Sequence, residues 1–265
     1  MDSKFNNFIL EDVLNPRDSA KLIVKNTKSD VIKINNDAVI KVAEKICNST
    51  LNEIGQLNFA ECEFHPKNAD KEAVDCGYFG VCLAINRALG NGIPLTSANY
   101  MANINGEAMN EIFRGDNVSF LKRAQILVAD VYSCLHEKDS NANFNDINEL
   151  TMFADYRVPQ ALAYLGVLEY GDIMLQLLNK PLKCGSEEEI QIRGFSIEAC
   201  ELILNEIKNI CNSTPKNNSI SPDLLNKLNN FNCVDVDVWL WIWRRANAQK
   251  IEESIPFHKC RSIFY

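Results

Sequence analysis

Apolar residues recur at three- and four-residue intervals through most of this chain, the spacing of helices that bury one face. Asn15-Pro16-Arg17-Asp18 reads as a helix start, with Asn15 as cap, Pro16 at the first helical position and Asp18 set against the dipole. A helix is predicted over about Pro16 to Lys25. Asn36 and Asp37 precede Val39, Ile40, Val42, Ala43 and Ile46, which predicts a second helix ending near Cys47. Gly77 to Leu89 is apolar nearly all round and predicts a buried helix, stopped by Gly90, Gly92 and Pro94. Glu107 to Phe113 reads as a short amphipathic piece. Ser119 then caps a longer helix, with Phe120, Leu121, Ala124, Leu127, Val128, Val131 and Leu135 on one face and Lys122, Arg123, Gln125 and Asp130 on the other.

Beyond the polar loop HEKDSNANFN, Asp146 and Glu149 form a capping-box pattern that opens the segment LTMFADYRVPQ, Leu150 to Gln160. Pro159 removes a helical hydrogen bond, so the chain is expected to break near Val158 and restart from Pro159 through Leu168. Glu187 to Arg193 alternates in its second half and predicts a short strand, with Gly194 as a turn and Ser196 capping a helix to about Ile210. CNSTPKNNSIS has the composition of a loop, after which Ser221-Pro222-Asp223 opens another helix. VDVDVWLWIWRR is ambiguous: as a strand, Asp235, Asp237, Trp239, Trp241 and Trp243 share one side, whereas as a helix Asp237 lies one turn before Trp241. The fold class expected is mainly α, with at most a short β element.

Composition narrows the class. With 265 residues, 46% of them hydrophobic, the chain can bury a core. No apolar run approaches the roughly 20 residues of a membrane span, and the acidic residues of MDSKFNNFILEDVLNPRD do not suit a signal peptide. An intracellular, cytoplasmic protein is expected, possessing no membrane partner. The 10 cysteines are scattered without a C-x-x-C and read as reduced thiols, and three histidines at no ligand spacing leave neither a metal nor another cofactor expected. A formal net charge of −8 argues against polymeric nucleic acid as a ligand. A single nucleotide stays possible, because one phosphate needs only one or two cations or a helix N-terminus.

Two clusters place aspartates beside aromatic rings: Phe153, Asp155 and Tyr156, and Asp235, Asp237, Trp239 and Trp241. Cleaving a base from a ribose passes through an oxocarbenium-like sugar, which calls for a carboxylate near the anomeric carbon and contacts that hold the base. On pattern alone, packed core aromatics and capping or ion-paired acids explain both clusters at least as well.

Longer blocks add a resemblance. LNPRDSAKLIV, HPKNADKEAV, LAINRALGNGIPLTSANY, SFLKRAQILVAD, LTMFADYRVPQ, EEIQIRG and PFHKCRSIFY, in that order from Leu14 to Tyr265, make the sequence similar to the queuosine salvage family, queuosine 5'-phosphate N-glycosylases. The resemblance implies one mainly helical domain over 1–265, similar to the helix-hairpin-helix DNA glycosylases. It also implies hydrolysis of queuosine 5'-monophosphate, releasing queuine, a 7-deazaguanine, for return to transfer RNA. Phe153 is implied as the stacking surface for the base and Asp155 as acceptor for the base's donors. Asp237, in Asp237-Val238-Trp239-Leu240-Trp241, matches the family's catalytic D-x-x-L-[WY] pattern and is implied as the carboxylate that stabilises or attacks the sugar cation.

The chain departs from the family pattern at Ile242, where a second acid is usual, and at Cys62, where a histidine is usual. Family segments are also absent near 75–77 and 116–119. These departures keep an alternative in view, a catalytically impaired or inactive variant that binds a nucleotide or a protein.

Overall fold

The computed structural model describes residues 13–54, 111–136, 140–213 and 220–261. Their order is α1 (Pro16–Asn26), β1 (Ile32–Ile34), α2 (Asn36–Cys47), β2 (Glu111–Phe113), β3 (Asp116–Val118) and α3 (Lys122–Leu135), then two 3-10 turns at Ser140–Ala142 and Ile147–Glu149. There follow α4 (Arg157–Tyr164), β4 (Leu168–Tyr170), α5 (Asp172–Leu177), α6 (Glu187–Ser213), α7 (Pro222–Asn229), α8 (Cys233–Ala246) and α9 (Ala248–Ser254). The described part is mainly α, as expected. The predicted helix at Gly77 to Leu89 lies outside the described residues.

Side-chain caps account for where several helices begin. Asn15 accepts from the Asp18 N–H at 2.9 Å, Asn35 from the Ala38 N–H at 3.2 Å, and Ser221 from the Leu224 N–H at 3.3 Å, with Pro222 in the first turn behind it. At α8 the Asn232 side chain accepts from the Val234 and Asp235 N–H groups while the Asp235 carboxylate accepts from the Asn232 N–H, a reciprocal capping box. That box settles the ambiguous VDVDVWLWIWRR segment as a helix.

The core is built around α6, which packs on α1, α2, α4, α7 and α8. Its Ile190, Phe195, Ile197, Cys200, Ile203 and Ile207 meet Ile23 of α1, Val42 and Ile46 of α2 and Leu240 of α8. A second cluster gathers Ala124, Leu127, Val128 and Val131 of α3 with Phe144 and Leu150. Two antiparallel pairs, β1 with β4 and β2 with β3, complete the description.

Several expectations are corrected. Glu187 to Arg193 is the first part of α6 and not a strand, and Gly194 and Ser196 lie inside the same helix. Three glutamates in its first turn oppose the helix dipole, and both polar and apolar residues from Glu189 to Ser196 are buried, so alternation there carries no information about a wet face. Gly194 is where α1 comes close: an added Cβ would sit 2.7 Å from Ile23 Cδ1.

Glu111 to Phe113, the described end of the supposed amphipathic piece, is strand β2. Arg114 and Gly115, with φ of 52° and 100°, reverse the chain into β3, so the hairpin geometry overrides the helical pattern. Ser119 does not cap α3. Its N–H donates to Ser19 Oγ at 2.9 Å and its hydroxyl to the Leu14 carbonyl at 2.7 Å, and the helix starts after Leu121 in a left-handed conformation. Gln125, placed on the exposed face by pattern, is fully buried.

Asp146 precedes only a 3-10 turn and makes no capping bond, and Glu149 instead accepts from Arg17 at 2.8 Å. Pro159 does not restart a helix, because none precedes it. It sits in the first turn of α4, where its missing N–H has no intrahelical partner to lose. That helix stops at Tyr164 and Leu168 begins β4.

Candidate active site

The LTMFADYRVPQ segment enters the fold as a non-helical strap, Leu150 to Asp155, before turning into α4. A strap without ladder hydrogen bonds needs other partners for its backbone, and two buried side chains supply them. The Gln125 side-chain oxygen accepts from the Thr151 N–H at 2.8 Å, while its amide donates to the Phe120 carbonyl at 2.8 Å. Arg193, 2% exposed, donates through Nε to the Ala154 carbonyl at 3.1 Å and through Nη1 to Glu111 at 2.9 Å and Glu189 at 3.2 Å. Its guanidinium also lies over the Phe120 ring, 4.1 Å from the centroid.

Held in this way, the strap presents Phe153 and Asp155 to α8. Asp155 Oδ1 accepts from the N–H groups of Arg157 at 2.7 Å and Val158 at 3.0 Å, closing the first turn of α4. Asp237, in the second turn of α8 and 6% exposed, accepts from the Phe153 N–H through Oδ1 at 3.3 Å. Both aspartates line one pocket of about 240 Å³, together with Lys122, Ile126, Asp130, Phe153, Val238 and Trp241. A smaller recess of about 60 Å³ adjoins it, sharing Asp130, Phe153 and Val238 and adding Tyr132, Asn232 and Asp235.

Burial governs the electrostatics. It drives the Asp237 carboxyl well above the usual carboxylate range, and the negative charge of Asp155 adds to the rise. Asp155 is raised by burial too, against the backbone N–H of Val158, the Lys122 ammonium and the N–H and charge of Arg157, which favour its ionised form. Burial pushes Asp130 up to about 6 and lowers Lys122, the latter opposed by Asp155 and Asp237. Carboxylates withdrawn from water beside two aromatic rings can hold a flat heterocycle and stabilise positive charge that develops next to it.

Residues 53–117 and 111–265 match the sequence profile of the queuosine salvage protein family. The chain belongs to the queuosine salvage protein family. It is 28% identical to the mouse queuosine 5'-phosphate N-glycosylase/hydrolase over 352 alignment positions that cover 95% of this chain and 99% of the relative. The protein of that name from Sphaerobacter thermophilus is 28% identical over 73% of each chain, and that of Schizosaccharomyces pombe 36% identical over 58% of this chain and 42% of its own.

Phe153, Asp155 and Asp237, picked out by likeness to the queuosine salvage family, come together at this one pocket although Asp155 and Asp237 stand 82 positions apart in the sequence. Ile126 and Asp130 were not singled out as site residues, and Trp241 was named only within its aspartate–aromatic cluster and motif. Their signal was spacing: Lys122, Ile126 and Asp130 fall at four-residue steps on α3, and Trp241 is one turn past Asp237 on α8. Ile242 is five residues beyond Asp237, roughly 140° around the helix. It lines a different cavity, with Trp239, Trp243, Lys45 and Ser49. Among the described residues Ile242 is not part of the lining of this pocket, and Cys62 lies outside the described residues.

Proposed function

We propose that this chain hydrolyses the N-glycosidic bond of queuosine 5'-phosphate, releasing queuine. The observation that carries the reading is a buried carboxylate, Asp237, which lines one pocket together with Phe153 and Asp155 in a member of the queuosine salvage family. Related proteins that align along nearly the whole of this chain bear the name of that activity.

In this mechanism the base stacks on Phe153. Asp155 Oδ1 is occupied by α4, so Oδ2 is the oxygen available to the base's donor groups. Asp237 is held through Oδ1, leaving Oδ2 to face the sugar. As the bond between the anomeric carbon and the base nitrogen breaks, its electron pair leaves with the base and positive charge spreads over the ribose ring. An ionised Asp237 stabilises that charge in surroundings of low dielectric constant. Water then adds its oxygen to the anomeric carbon, one proton goes to the base, and ribose 5-phosphate and queuine result. The Lys122 ammonium on the pocket wall is the cation available for the phosphate.

The same reading treats 1–265 as one domain, similar to the helix-hairpin-helix DNA glycosylases, with family segments absent near 75–77 and 116–119. An alignment of 352 positions against a chain of 265 residues supports such absences, and at the second edge the tight β2–β3 turn brings the chain back on itself. Incubating the purified, folded protein with queuosine 5'-phosphate and following free queuine by chromatography tests the proposal. Release that is abolished in Asp237→Asn supports it. Binding of the nucleotide without release would overturn it in favour of an inactive binding variant.

A further inference from the structure

The charges in this pocket do not balance. Among the described residues that line it, Asp130, Asp155 and Asp237 face a single ammonium, Lys122. Two of the three carboxylates have partners in the fold, since Asp155 takes the N–H groups that open α4 and Asp237 takes the N–H of Phe153. Asp130 neither accepts a hydrogen bond nor pairs with a cation among the described residues, and burial alone perturbs it. A half-buried carboxylate without a protein partner has given up part of its hydration, and a cationic group bound in the pocket would compensate it.

Its position narrows what that ligand is. Asp130 stands at the seam between the 240 Å³ pocket and the 60 Å³ recess, with Phe153 and Val238 lining both beside it. A cation at this seam would meet the carboxylate and lie close to the Phe153 ring, two attractions that add. Along α3, Asp130 is eight residues from Lys122, or roughly 12 Å at the helical rise, so the helix offers a cation site for an anion at one point and an anion site for a cation two turns on.

We infer that Asp130 is a specificity-determining residue that receives a cationic amine carried by the base of the substrate. The inference rests on the pocket taking queuosine 5'-phosphate: the 7-deazaguanine of that nucleotide bears an aminomethyl substituent that is protonated at neutral pH. With Phe153 on the ring face and Lys122 at the phosphate, the substituent reaches the seam, and a base without the amine leaves Asp130 unpaired. The discrimination is therefore against neutral analogues of the same ring system.

Equilibrium binding of the free bases tests this without any need for turnover. Calorimetry would compare 7-aminomethyl-7-deazaguanine, a cation, with 7-cyano-7-deazaguanine, which is neutral, on the intact chain and on Asp130→Asn and Asp130→Glu, each checked by circular dichroism for unchanged folding. The intact chain is expected to bind the aminomethyl base at least about tenfold tighter. Asp130→Asn should remove that preference by weakening the aminomethyl base far more than the cyano base, while Asp130→Glu should keep part of it. Equal affinities in the intact chain, no binding of either base, or a loss in Asp130→Asn shared equally by both bases would overturn the assignment. A retained preference in a chain that releases no queuine would instead overturn the hydrolytic reading and leave Asp130 its role.

Discussion

Asp237 and Phe153 are joined by a hydrogen bond of 3.3 Å from the Phe153 backbone N–H to the Asp237 carboxylate, across 84 residues of sequence. The bond ties the proposed stacking residue and the proposed catalytic carboxylate into one unit, so the position of the Phe153 ring in the pocket is set by α8 as well as by the strap that carries it.

Replacing Asp237 by asparagine keeps an oxygen for the Phe153 N–H and removes the charge. Release of queuine is expected to fall by at least about a thousandfold in kcat/KM, read by single-turnover chromatography. Stability should move the other way. Burial lifts the folded-state pKa of Asp237 above its unfolded value, so the folded chain holds a proton more tightly than the unfolded one. Between the two values stability falls as pH rises, and at neutral pH the buried charge is a net cost. Asp237→Asn should therefore melt a few degrees higher at pH 7 and show little or no gain near pH 4. A lower melting temperature at pH 7 would contradict this account.

The pH dependence of kcat/KM reports the free enzyme's essential groups. In the proposed mechanism Asp237 acts ionised, and its pKa is raised, so the rate should decline on the acid side at pH values above the ordinary carboxylate range. Asp155 repels it, so the limb belongs to the pair. A profile that stays flat down to pH 4 would rule this out.

Phe153→Ala removes the stacking surface and leaves both carboxylates in place. Base stacking on an aromatic ring is worth about 1–3 kcal/mol, so KM should rise roughly 5- to 150-fold, with a smaller change in kcat. Steady-state kinetics separate the two.

Arg193→Met would take from fully buried Glu189 the guanidinium 3.2 Å away and from the Ala154 carbonyl its Arg193 donor. Removing one member of a buried ion pair costs about 3–5 kcal/mol, which urea denaturation would show as a marked fall in the midpoint. Arg193→Lys keeps the charge and should recover part of the loss.

Gly194→Ala tests the closest approach of α1 to α6. In an open helix this change would stabilise by about 1 kcal/mol. Here the new Cβ meets three Ile23 atoms at 2.7–3.0 Å, and a loss of about 1–3 kcal/mol is expected instead. Combining it with Ile23→Ala should reverse the sign of the glycine substitution, a coupling readable in a double-mutant cycle of unfolding free energies.

What could be read from sequence divides along physical lines. Helix starts at Pro16 and Pro222 were legible because caps are local, and the same holds for the Asn232–Asp235 box, a signal present in the sequence that decides the Trp-rich segment. Glu189, Gln191 and Arg193 misled because buried polar residues imitate an exposed face, and only the tertiary partners of Arg193 show otherwise. Gln125 misled for the same reason, its amide being taken up by Thr151 and Phe120. Phe153, Asp155 and Asp237 came from likeness to a family and not from periodicity. Asp130 was legible as a polar residue on α3 but not as a wall of the pocket, which needs α8 and the strap to exist first.

Asp155 serves two masters with one side chain, since the carboxylate that walls the pocket also starts α4. A residue that suited another heterocycle equally well would still have to take up two backbone N–H groups, which restricts the position to aspartate, asparagine, serine and threonine. Drift towards new bases at this site is thus filtered first by whether a helix can begin, and only afterwards by what the pocket can recognise.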